Sequence, residues 1–78
     1  MIFAKRFRSQ AHTRSFVVGD AHGRGWEVRE EEDNEVVKCT CLHDWHRVES
    51  AMMRFGIQAI QLENAGWTEV HMPASSVV

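Results

Sequence analysis

At Asp44 the spacing of apolar residues changes from every second position to every third or fourth, and that change constrains the fold more than any other feature of the chain. Downstream, Trp45, Val48, Met52, Phe55, Ala59 and Leu62 recur at intervals of three and four, which lines them along one side of a helix. Asp44 suits the N-cap, because its short carboxylate can accept from the first free amides. Gly66 stands where a left-handed residue ends a helix, and Trp67 follows where a Schellman ending lays an apolar side chain over Leu62. The segment predicts one long helix from residue 45 to about residue 65, with both ends specified.

Upstream the pattern is that of a hairpin. Asp33 and Asn34 both tolerate the left-handed backbone of a two-residue primed turn, which sets Glu32 opposite Glu35. Carried along without interruption, this register pairs Trp26 with Cys41, Val28 with Cys39 and Glu30 with Val37 on one face. Glu27 with Thr40, Arg29 with Lys38 and Glu31 with Val36 share the other. A third strand is expected at residues 15–18, joined by the Gly-rich link 19–25, and residues 67–72 could return as a short fourth. The helix stripe is the natural cover for Trp26, Val28, Val37, Cys39 and Cys41. The expectation is therefore a two-layer α+β fold, an antiparallel meander of about three strands covered on one face by a single long helix.

A chain of 78 residues supports one such unit, here residues 15–72, and its 44% hydrophobic and 26% charged residues argue against wholesale disorder. Residues 1–14 carry Lys5, Arg6, Arg8 and Arg14 without an acid, whereas residues 20–35 carry seven acids against Arg24 and Arg29. We read 1–14 as a flexible basic arm lying against the acidic hairpin, and 73–78 as a flexible tail. The opening composition also resembles an organellar transit peptide, but the segment is short and the fold begins soon after it. No stretch approaches 18 apolar residues, no apolar signal core is present, and Cys39 and Cys41 sit too close in sequence to favour a bridge. A cytoplasmic location is expected, without membrane attachment.

Four features bear on function. Met53, Ile57 and Ile60 form a second apolar line, roughly 130–140° around the helix from the first at about 100° per residue, so both cannot face one sheet. Such a patch marks a protein interface. The leading expectation is a homodimer with helices of two chains crossing. The alternatives are cover by Ile2, Phe3 and Phe7 or by Val77 and Val78, and a different protein partner. Second, Cys39, Cys41, His43 and His46 supply four zinc-type ligands. Residues 39, 41 and 43 of a straight strand span roughly 13 Å, whereas zinc wants every ligand within about 2.3 Å of one point. Convergence would need a bulge at Cys41 and a fourth ligand such as His22 or His71. Free buried cysteines, with no cofactor, take precedence over the zinc reading. Third, Lys5, Arg6, Arg8 and Arg14 interleave with Phe3, Phe7 and Phe16, offering charge for phosphates and rings for bases. The net charge of -2 and the acidic hairpin oppose a polyanion. Fourth, His43, Asp44 and His46 could be read as acid–base chemistry, but capping explains Asp44, and no Ser/His/Asp set is present.

Two further patterns have structural explanations. The acidic run 30–35 lacks the spaced ligands and central Gly of a calcium loop, and Gly23-Arg24-Gly25 leads into a strand rather than a phosphate-binding helix. The sequence thus points to a small non-enzymatic interaction or oligomerisation module, homodimeric through its helix. The alternatives are a metal-stabilised binding domain and a nucleic-acid contact protein using the arm.

Overall fold

The structure, a computed structural model, describes residues 2–71. In chain order it contains β1 (Phe3–Ser9), β2 (His12–Asp20), β3 (Trp26–Glu32), β4 (Glu35–Leu42), α1 (Trp45–Asn64) and β5 (Thr68–Val70). The strands form one antiparallel five-stranded sheet in the order β4-β3-β2-β1-β5, and the fold is α+β. The chain leaves one edge at β4, crosses a face of the sheet as α1, and rejoins the opposite edge as β5.

The expected strand count was too low, and the difference lies at the two ends. Phe3–Ser9, read as part of a flexible arm, is β1 and pairs along its whole length with β2, from Phe3 opposite Val18 to Ser9 opposite His12. Phe3 and Phe7 share one side of the strand with Lys5 between them, and Arg6 and Arg8 take the other, so the segment has the period of a strand with its aromatic residues on one side. Gln10, at φ 56, closes the hairpin, and glutamine carries no turn signature. The third strand also begins earlier than residue 15, at His12. The return strand after the helix is β5, with Arg6 opposite Val70 and Arg8 opposite Thr68. Met72 and the tail at 73–78 lie outside the described residues.

Asp33 and Asn34 form the primed turn as expected, at φ 52 and 69, and Glu32 faces Glu35. The register then slips between Glu30 and Glu31. Glu31 pairs with Val36 but Glu30 pairs with Lys38, so Val37 is an extra residue, a β-bulge. From there on, the uninterrupted register is wrong by one position: Val28 faces Thr40, Arg29 faces Cys39 and Trp26 faces Leu42. Side chains alternate faces along a strand, so this step exchanges the two sides of β4. Thr40 and Leu42 turn toward the helix, while Cys39 and Cys41 turn outward and are exposed. The physical reason is legible in the pairs. An uninterrupted ladder opposes Arg29 to Lys38, whereas the bulged one opposes Lys38 to Glu30 and lets Leu42 pack on the core.

The core lies between sheet and helix. Phe7, Phe16, Val18 and Val28 meet Val48, Ala51, Phe55, Ala59 and Leu62, all buried. Phe16 is central, its ring 4.9 Å from Phe55 and 6.3 Å from Phe7. Asp44 caps the helix through its carboxylate, which accepts from the His46 amide at 3.0 Å. Gly66 at φ 97 ends it, with Trp67 N–H donating to Leu62 O at 2.9 Å and Gly66 N–H to Glu63 O at 3.0 Å, the Schellman pattern. The expected stripe holds at Val48, Phe55, Ala59 and Leu62. Trp45 departs from it: it is 41% exposed and rests on Trp26 at 5.2 Å, while Ala51 takes a place in the core.

Two positions around the hairpins give tests. A Cβ on Gly25 would strike the Leu42 carbonyl oxygen, whereas one on Gly23 would meet open space, although both residues have positive φ. Gly23→Ala should cost about 1 kcal/mol in chemical denaturation, the left-handed backbone penalty alone, and Gly25→Ala at least about twice that. Equal costs would contradict the close approach of residue 25 to the end of β4. At the turn, the Asp33 carboxylate accepts from the Thr13 amide at 3.0 Å and faces the His12 ring at 3.3 Å. These contacts, the Thr13 amide first, hold its pKa below the usual carboxylate value. A depressed carboxylate stabilises the fold above its unfolded pKa of about 4 and loses that contribution as pH falls through its folded value. Asp33→Asn keeps a left-handed-tolerant residue, so its deficit in melting temperature against the parent should be present at pH 6 and shrink below about pH 4.

Candidate functional site

The helix carries three exposed apolar side chains along one line. Five buried residues, Val48, Ala51, Phe55, Ala59 and Leu62, point one side of α1 at the sheet. At about 100° per residue, Met53, Ile57 and Ile60 project from almost the opposite side. They are 70%, 56% and 59% exposed. The expected cover from the N-terminal segment is overturned. Phe7 is fully buried beneath the helix, Phe3 packs at 6.0 Å on Phe55, and Ile2 is tied through its amide to Val18 O. Val77 and Val78 lie outside the described residues. Gly56 sits beside Ile57 in mid-helix, where glycine costs about 1 kcal/mol relative to alanine. A Cβ there would meet nothing within 4 Å, so packing within the chain does not require the glycine.

The four metal-ligand candidates are not brought together. Cys39 and Cys41 are on the outward face of β4, and the Cys41 thiol donates to Arg24 O at 3.4 Å. His43 lies in the link before the helix, and the His46 ring turns to Glu49 at 3.7 Å. Among the described residues, no group of three or more His, Cys, Asp and Glu side chains is placed to hold a metal ion. The premise that Cys39 and Cys41 are buried apolar residues is also corrected, since the bulge puts both in solvent. Desolvation and then the Glu27 carboxylate push the Cys39 thiol above its ordinary pKa, which disfavours the thiolate at neutral pH.

The basic residues are split rather than clustered. Pairing places Lys5 and Arg14 on the helix side of the sheet and Arg6 and Arg8 on the open side. Lys5 Nζ reaches Glu69 at 3.5 Å, Arg6 Nε donates to Ser15 Oγ at 3.2 Å, and Arg8 Nε donates to Gln10 O at 3.4 Å. Arg14 lies 3.8 Å from Glu30 and over the Phe16 ring at 5.3 Å. On the open face Arg29 bridges Glu27 at 2.9 Å and Glu31 at 2.8 Å. Arg6 and Arg29 lie on the same side as Ser15 and Val17, which are buried without a covering layer.

Two small hollows accompany the reversed faces of β4. A cleft of about 190 Å³ is lined by Val28, Glu30, Lys38, Thr40, Leu42 and Arg54. A second, of about 230 Å³, is lined by Cys41, Leu42, His43, Asp44 and Arg47. Sequence reasoning missed the first, because only the bulge turns the short Thr40 inward. Both fall below the roughly 300 Å³ at which pockets for drug-sized ligands begin. Among the described residues, no helix is long and apolar enough to cross a membrane. Comparison with family models, with curated proteins and with solved structures gives no match.

Thiol chemistry checks the placement of β4. Native protein should titrate two thiols with an aromatic disulfide reagent without denaturant. With Cys41→Ser, the remaining Cys39 should react more slowly at neutral pH than free cysteine and gain rate as pH rises. Protection of Cys39 until the chain unfolds would restore the uninterrupted register.

Proposed function

We propose that this chain is a small, non-enzymatic interaction module of the cell interior that self-associates as a homodimer through the outer side of α1. The observation that carries this reading is the exposure of Met53, Ile57 and Ile60 on one line directly away from the core. The chain's own N-terminal residues are committed to β1 and so are spent elsewhere. Gly56 adds support, since a missing side chain beside Ile57 allows a second backbone to approach closely.

The magnitudes describe a modest association. Each of six side chains, three from each copy, contributes roughly 1.5–3 kcal/mol when buried. Lost translational and rotational freedom costs roughly 4–15 kcal/mol, so the midpoints leave about 4 kcal/mol, a dissociation constant near the millimolar range. The nucleic-acid and zinc readings have less behind them. The four cations point to two faces, and the four ligands are dispersed.

Sedimentation velocity over a concentration series rising to about 1 mM tests the proposal. The parent chain should shift toward the dimer mass as concentration rises, and Ile57→Glu with Ile60→Glu should stay a monomer. Circular dichroism should be unchanged, because neither side chain reaches the core. A monomeric parent, or a double variant that still dimerises, would falsify the reading.

A further inference from the structure

Resting on that self-association, we infer that the two copies pair with their helices parallel and in register, selected by charge on the flanks of the apolar line. The outer side of α1 carries a heptad. Ser50, Ile57 and Asn64 fall at a, and His46, Met53 and Ile60 at d. Glu49, Gly56 and Glu63 then fall at g, and Arg47, Arg54 and Gln61 at e. One flank is therefore acidic and the other basic, and the central line between them carries no charged carboxylate or guanidinium.

This segregation separates the two orientations of a symmetric pair. In a parallel pair the two-fold axis runs along the helices, so the acidic flank of each copy meets the basic flank of the other. Glu49 then lies beside Arg54 of the second copy, five residues later, the spacing of g-to-e pairs in parallel coiled coils. In an antiparallel pair the axis is perpendicular to both helices, and each flank meets its own kind. With Ile57 seated on Gly56 of the second copy, Glu49 comes beside Glu63 of that copy, a like-charge contact. Arg54 is at the lip of the cleft over β4, and among the described residues no ion pair engages it, so it is free to turn to a second chain.

Two uncharged polar residues suit either orientation: parallel pairing sets Asn64 against Asn64 and Ser50 against Ser50, and antiparallel pairing centred on Ile57 sets Ser50 against Asn64, so the flanking charges decide between them. At g, Gly56 offers no side chain to hold the helices apart where Ile57 crosses, and nothing within its own chain occupies that space. The sheets lie on the far sides of the two helices, so neither obstructs the contact.

Charge reversal distinguishes the orientations by sign. Glu49→Arg and Arg54→Glu should each weaken dimerisation at low salt by roughly fivefold or more, since each replaces two attractive pairs by repulsive ones. The combined variant should return to within about twofold of the parent, and that recovery also shows that the single variants were folded. Tighter association of Glu49→Arg is the antiparallel result and overturns the inference, as do failure of the double variant to recover and a sedimenting mass of three chains. These outcomes leave the self-association reading intact, provided that the parent dimerises and the Ile57→Glu with Ile60→Glu variant does not. A monomeric parent removes both.

Discussion

The contact of Phe16 with Phe55 is the constraint on which the rest of the structure depends. Phe16 lies in β2, the central strand of the sheet, and Phe55 in the middle of α1, with ring centres 4.9 Å apart. Phe7 and Phe3 extend this aromatic cluster across β1, so the first strand is held by packing as well as by its ladder. Ala51 and Ala59 flank Phe55 with small side chains, which lets the helix come close enough for the ring to enter the core. A chain of this length has little apolar area to spare. That scarcity makes three exposed aliphatic side chains on the other side of the same helix hard to attribute to folding alone.

One inserted residue decides the chemistry of the β4 edge. The bulge at Val37 exchanges a core of cysteines for one that includes Leu42, and it moves Lys38 from beside Arg29 to beside Glu30. The same step leaves Val37 unpaired and exposed beside the exposed Val36 on an edge strand. A bulged edge is a poor template for adding another strand. The open face of the sheet needs no second layer. The Arg6 and Arg29 stems lie beside Ser15 and Val17, with the Arg29 guanidinium bridging Glu27 and Glu31 and Arg6 donating to Ser15 Oγ.

Charge is arranged differently on the two surfaces. Across the sheet, opposite charges are paired within the chain, from Arg29 with its two glutamates to Lys5 with Glu69. Along the outer side of the helix they are separated instead, with Glu49 and Glu63 on one flank and Arg47 and Arg54 on the other. Exposed pairs contribute little to stability, so the separation costs the folded monomer almost nothing. It gives the apolar line a direction, with one flank acidic and the other basic.

The sequence by itself determined the helix completely, from the Asp44 cap to the Gly66 ending, together with the Asp33-Asn34 turn and the second apolar line at Met53, Ile57 and Ile60. These are local: each rests on a spacing or a capping residue whose energetics are decided within a turn or two. Only the tertiary structure decided the role of residues 3–9, because their basic side chains read as an arm until Phe3 and Phe7 find Phe55 and Phe16 far along the chain. It also decided the face of Cys39 and Cys41. A strand's two sides differ only by parity, and a single extra residue, favoured by a cross-strand charge pair and by Leu42 reaching the core, reverses them.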